Sequence, residues 1–210
     1  MKSTFFKYIL LCIILLIFSE AIKYILNFEE LIYISLAESL SSNQINEILN
    51  LQDKWKWVGY IFIPIYIFLK TTIITSVVYI GTFFFSKTET TFKSIWNCVI
   101  KAEFIFLLVP ILKIIWFYFF QTNYTLEDIQ NFYPLSVLNI TGYKSLETWL
   151  MYPLQTLNLF EIAYVIFLSY QLAHLTKTTI DNGLKIITYS YIPALLLWVT
   201  VVMFFTLNYS

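Results

Sequence analysis

The chain has 210 residues, 59% hydrophobic and 12% charged, with four glycines and a formal net charge of zero. That usage lies far outside soluble globular domains and predicts a single membrane domain over residues 1–210. All thirteen basic residues are lysine, so the planar bidentate donor used for nucleic acid or phosphate is missing and no nucleic-acid partner is expected.

Lys2 and Lys7 precede an apolar run over 8–18, followed by Ser19-Glu20-Ala21, a pattern shared with secretory signal peptides. The segment is retained in the chain, and 5–26 reads as the first transmembrane helix. Residues 27–56 mix Glu29, Glu30, Glu38, Glu47 and Asp53 with Ile32, Leu36, Leu40, Ile45, Ile48 and Leu49. Spacings of three and four predict two amphipathic helices, with Ser41-Ser42-Asn43 breaking the stretch and capping the second. Trp55 and Trp57 mark an interface before a second span over 57–85, where Pro64 predicts a kink. A polar turn over 86–93 leads to a third span, 95–120, carrying Lys101, Glu103, Pro110 and Lys113.

Residues 121–148 hold Glu127, Asp128, Pro134 and Gly142 without a sustained period, and read as a second polar connection. Asn123-Tyr-Thr125 and Asn139-Ile-Thr141 match glycosylation acceptors, which a bacterial source would leave idle. Ser145, Glu147 and Trp149 predict a short interfacial helix feeding the fourth span, 155–175. That span starts at Pro153 and Asn158, and its apolar surface is interrupted by Glu161, Ser169 and Gln171. A turn over 176–183 precedes the fifth span, 184–205, with Pro193 inside. The predicted fold is all-α: an integral membrane bundle of five transmembrane helices plus extracytoplasmic amphipathic helices.

Lysine distribution gives the orientation. Lys2, Lys7, Lys87, Lys93, Lys177 and Lys185 fall on one side, against Lys54, Lys56 and Lys144 on the other. The positive-inside bias then places the N-terminus in the cytoplasm and the C-terminus outside. The Lys, Asn, Ile, Phe and Tyr bias fits an AT-rich bacterial genome, hence an inner membrane.

Two hairpins look alike. The second span, Lys87 and Thr91-Phe92-Lys93-Ser94-Ile95 are echoed by the fourth span, Lys177 and Gly183-Leu184-Lys185-Ile186-Ile187. With Leu157-Asn158-Leu159-Phe160 opening the fourth span, residues of about 55–208 resemble the Yip (Ypt-interacting protein) family of small polytopic membrane proteins. Gln171 and Ala173 stand where such proteins often carry a glycine. The resemblance implies five spans, a cytoplasmic N-terminus and a membrane-embedded adaptor role. The small-GTPase and vesicle-traffic roles of eukaryotic members do not carry over to a bacterial chain with such short cytoplasmic turns.

No catalytic, cofactor or metal-binding set is legible. A single histidine, His174, rules out His-Glu-x-x-His; Gly-x-Ser-x-Gly and a phosphate-cradling glycine loop are absent; Asp53, Asp128 and Asp181 lie outside the spans. Cys12 and Cys98 lie in apolar runs and read as small hydrophobes. His174 reads as an interfacial hydrogen-bonding residue. The protein is expected not to be an enzyme.

Intramembrane charges are the functional candidates: Glu20, Lys70, Glu103, Lys113 and Glu161, with Lys23 and Lys101 nearer the span ends. Counted from the outer ends of their spans, Lys113, Glu161 and Glu20 fall at about 9–10 Å. An ion pair of Lys113 with Glu161 or Glu20 is therefore the structural expectation. A proton or ion path through Glu103, Lys70 and Glu161, or pairing with a partner subunit's helix, are the functional ones. The expected role is an accessory or scaffold subunit contacting the lipid bilayer and other membrane subunits; the other is a small transporter or channel subunit built on the two hairpins.

Overall fold

The structure, a computed structural model, describes residues 2–37, 39–86 and 88–209, with the Lys2 side chain left out. Glu38, Lys87 and the Lys2 side chain, counted above for orientation, thus lie outside the described residues. Among the described residues ten helices follow in order: α1 Lys2–Ile25, α2 Phe28–Ala37, α3 Ser42–Phe85, α4 Phe92–Glu103, α5 Leu108–Phe119, α6 Leu126–Asn131, α7 Val137–Thr141, α8 Thr148–Thr156, α9 Leu159–Thr176 and α10 Ile180–Tyr209. A 3-10 turn, Phe104–Leu107, joins α4 to α5. Among the described residues, four stretches are long and apolar enough to cross a membrane: Ser3–Ile25, Ser42–Phe85, Leu159–Thr176 and Ile180–Tyr209.

Two hairpins, α3–α4 and α9–α10, form the bundle. Besides the pairing within each hairpin, α3 packs on α10 and α4 on α9, a pattern unchanged when the hairpins are exchanged. All four helices supply the main core: Ile74 and Val78 from α3, Cys98 and Ala102 from α4, Leu168 and Leu172 from α9, Ile187 and Tyr191 from α10. Small residues set the closest approaches. A Cβ at Gly183 would overlap the Ser169 carbonyl oxygen of α9, and one at Gly81 would lie 2.6 Å from the Ser190 Cβ of α10. Buried serine and threonine hydroxyls on these faces bond their own helices, as in Thr71 to the Ile67 carbonyl at 2.8 Å and Ser169 to the Val165 carbonyl at 2.7 Å.

At the turn end of the bundle the Thr88 hydroxyl donates to the Thr176 carbonyl at 2.9 Å, tying the two turns together. Lys177 adopts a left-handed φ of 54°, and its N–H closes α9 on the Ala173 carbonyl. Beside the bundle runs α1, antiparallel to α3: the Tyr8 hydroxyl reaches the Pro64 carbonyl at 2.7 Å, and Glu20 lies 3.7 Å from Lys56.

Two expectations change. Residues 42–56 are not a separate amphipathic helix but the opening of the 44-residue α3. Ser41 caps it, its N–H and hydroxyl both bonding the Gln44 side-chain oxygen. Nothing between Asn43 and Trp57 breaks a helix, so the ladder runs on into the apolar stretch. Residues 95–120 are in turn not one continuous helix. Pro110 has no N–H for the Phe106 carbonyl, and the Leu108 N–H takes that carbonyl and that of Ile105 instead, tightening the backbone into the 3-10 turn.

Candidate functional site

The 3-10 turn is one of two interruptions inside the bundle. The other separates α8 from α9 at Leu157-Asn158, where Asn158 is 6% exposed and serves three backbone groups. Its Oδ1 accepts from the Glu161 N–H at 2.8 Å, and its Nδ2 donates to the Gln155 and Thr156 carbonyls at 2.9 and 3.0 Å. Residues 135–137 complete the junction: the Val137 N–H donates to the Leu157 carbonyl at 2.9 Å, and the Leu159 N–H to the Leu135 carbonyl at 3.1 Å. Non-helical backbone among apolar helices is tolerated where protein satisfies it, as here. Part of the 121–148 connection is therefore folded into the bundle rather than standing clear of it.

The interruptions bring two acids into one layer. Glu103, the last residue of α4, is 3% exposed, and its Oε2 lies 2.8 Å from Lys70 Nζ of α3. The Lys70 ammonium also sits over the Phe106 ring, 4.4 Å from its centroid. Glu161, in the first turn of α9, accepts at Oε1 from the Tyr191 hydroxyl of α10 at 2.5 Å. At about 1.5 Å per residue, Lys70 and Glu161 lie about 23 Å, and Glu103 and Tyr191 about 17 Å, from the turn-end termini of their helices. Tyr164 completes the layer, fully buried, its ring 5.5 Å from that of Tyr191. Among the described residues Glu103 Oε1 and the Tyr164 hydroxyl make no bond of normal geometry, but the hydroxyl lies close enough to the Glu103 carboxylate to interact with it.

The sequence-predicted charges are thus regrouped. Lys70 and Glu103 meet, with Glu161 in the same layer. Lys113 pairs with neither Glu161 nor Glu20; among the described residues it makes no ion pair. The depth count failed because α8 lies between Glu161 and the far end of the bundle, so Glu161 lies near the bundle's middle although it opens α9. Lys113 lies beyond the 3-10 turn, nearer the far end. Glu20 pairs at the surface with Lys23, at 2.9 Å, and with Lys56. Lys101 donates to Gln171 Oε1 at 3.0 Å rather than reaching outward. His174 is exposed. Tyr164 and Tyr191 were missed: nothing in the sequence separates them from the other tyrosines except that Tyr164 follows Glu161 by one helical turn.

No group of three or more His, Cys, Asp or Glu stands together among the described residues, and Cys12 and Cys98 are free and buried. At the far end an open cleft of about 480 Å³ is lined by Asn27, Glu30, Tyr124 and Asp128, among others. No family model, curated protein or solved structure matches the chain.

Proposed function

We propose that the protein is an integral inner-membrane protein of five crossings, acting as a non-enzymatic accessory or scaffold subunit of a larger assembly. The interrupted column α4–turn–α5 is its third crossing, and α8–α9 its fourth. In the proposed orientation the turn end, with Lys93, Lys177 and Lys185, faces the cytoplasm, and residues 27–56 face outside. Exposed aromatics at both ends of the bundle, Phe83 and Phe84 at the turn end and Phe119 and Phe204 at the far end, suit contact with lipid.

Lys113 carries the subunit reading. It sits within the third crossing without a carboxylate among the described residues, on α5, whose main contacts are α1 and the 3-10 turn. Ile115, Trp116 and Phe119 of the same helix are exposed. A charge in such a place calls for a partner, and an acid on another subunit's transmembrane helix supplies one. The sequence resemblance to Yip adaptors implies the same kind of role.

A photo-crosslinking residue at Ile115, in native membranes, should capture one defined chain. Lys113→Met should abolish the capture, and the same probe at Phe83 should yield lipid only. Lipid alone at both positions would overturn the subunit role. For the orientation, cysteines at Ser42 and Thr141, in a background lacking Cys12 and Cys98, should react with an impermeant thiol reagent in spheroplasts. One at Thr88 should not, and the reverse pattern would overturn it.

A small transporter or channel subunit is the second reading. Two interrupted helices with buried charges between packed hairpins favour it, because transporter sites are commonly built from such breaks.

A further inference from the structure

The layer, in which Glu103 and Tyr164 are buried and Lys70 and Glu161 half-buried, does not balance its charge. Two carboxylates, Glu103 and Glu161, face one ammonium, Lys70, and that ammonium is bonded to Glu103. The groups around Glu161 come from every neighbouring element. Tyr191 projects from α10, Lys70 from α3, Glu103 from α4 and Tyr164 from its own helix, with Tyr133 of the preceding connection also within electrostatic reach. Tyr66 and Tyr152 lie farther out, near Lys70 and Tyr191. All but Lys70 and Glu103 are neutral phenols, and Lys113 is not among them. An ionised carboxylate without a countercharge in an apolar interior is costly enough that it takes up a proton instead.

We propose that this layer is an intramembrane proton-binding site, with Glu161 holding one exchangeable proton beside a standing Lys70–Glu103 ion pair. The proton forms an O–H bond at Glu161 Oε2, leaving Oε1 to accept from Tyr191. Nothing is oxidised or reduced. The Tyr164 hydroxyl, which lies within reach of the Glu103 carboxylate, completes the polar lining of the site. This site goes beyond the subunit role, for it requires the membrane bundle but no partner.

The test uses the full chain in detergent and in liposomes. Infrared difference spectra across a pH titration should show a protonated-carboxyl C=O band at neutral pH that shifts in heavy water. The band should vanish in Glu161→Gln, and in Glu103→Gln its loss should move to lower pH, because Lys70 then has Glu161 as its one carboxylate. Dicyclohexylcarbodiimide, which attacks protonated carboxyls in apolar surroundings, should modify Glu161, its rate falling roughly tenfold per pH unit above the site's midpoint. Because glutamine resembles the protonated acid, Glu161→Gln should keep the wild-type melting temperature. Absence of the band, a band that survives Glu161→Gln, or a marked loss of thermal stability in that variant would overturn the site. So would suppression of labelling by sodium or potassium at fixed pH, since the charge would then be balanced by an alkali cation. None of these outcomes bears on the Ile115 crosslink, so this site and the subunit role fail separately.

Discussion

The chain interrupts its helices twice inside the bundle, by different means. At Phe104–Leu107 the cause is Pro110, and the backbone closes on itself through the Leu108 N–H with no side-chain cap. At Leu157-Asn158 the ladder is stopped by a capping side chain, and the free backbone is met by residues 135–137. The first break is local and the second depends on chain from a distant segment. Their acids differ in the same sense: Glu103 is balanced by an ammonium, Glu161 only by a phenol. A shared layer and a shared residue type therefore do not give a shared role.

The largest expected effect lies at the balanced acid. Removing one partner of a buried ion pair leaves an uncompensated charge and costs about 3–5 kcal/mol, whereas replacing both is often close to neutral. Lys70→Met alone and Glu103→Gln alone should each lower thermal stability in detergent, and the double variant should recover most of the loss. Simple additivity would mean that the 2.8 Å contact is not a coupled pair.

Asn158→Ala comes next and separates the breaks themselves. It removes a cap and strips the Gln155 and Thr156 carbonyls of their donor, a loss of about 2 kcal/mol. Leu107 occupies the capping position of α5 without a side-chain bond, so Leu107→Met should cost well under half as much. Equal losses would erase the distinction between a local break and a capped one.

The two phenols sharpen it further. Tyr191→Phe removes the one side-chain donor to Glu161 and should cost about 1 kcal/mol. Tyr164→Phe deletes a buried hydroxyl that reaches the Glu103 carboxylate without a bond of normal geometry, and should cost less than Tyr191→Phe, as read by thermal unfolding. A larger loss at Tyr164 than at Tyr191 would reverse the assignment of which hydroxyl is engaged.

Much of the helix pattern was legible because apolar run length needs no tertiary information. The 8–18 run, the Asn158 cap that opens α9 and the turn at Lys177 all stand where hydropathy and capping residues put them, whereas Pro153 lies inside α8 rather than at the start of a span. What could not be read was depth. Glu161 was counted from the start of its apolar run, but α8 lies between that residue and the far end, and only the packing of α8 on α10 reveals it. Lys70 and Glu103 sit 33 positions apart on neighbouring helices, so their meeting depends on the hairpin's register rather than on sequence spacing. Pro110 was visible, yet whether a proline kinks a helix or resolves into a 3-10 turn depends on which N–H takes the freed carbonyl.

A third polar cluster, at the far end, contrasts with the buried layer in its access to water. Asp128 caps α6, accepting from the Thr125 N–H and hydroxyl at 2.8 Å and from the Tyr143 hydroxyl at 2.7 Å. Burial pushes its carboxyl up, but the bonds from Thr125 and Tyr143, with the Lys144 charge, bring it net below its ordinary value. Tyr143 is pushed up to about 12, by burial first and then by the Asp128 bond. A lowered carboxylate contributes stability above the unfolded value of about 3.9, and loses it as pH falls through the folded one. A raised phenol contributes fully below about 10 and loses its contribution as pH rises toward 12. Both groups are largely solvated, so each limb should amount to less than about 1 kcal/mol. Hydrogen exchange at the Ile129 amide, bonded to the Thr125 carbonyl, reads the segment locally. Protection should fall at both extremes of pH; Asp128→Asn should flatten the acid limb and Tyr143→Phe the alkaline one. An acid limb that survives Asp128→Asn would assign the titration to another carboxyl, and this cluster would no longer be the solvated counterpart of the buried layer.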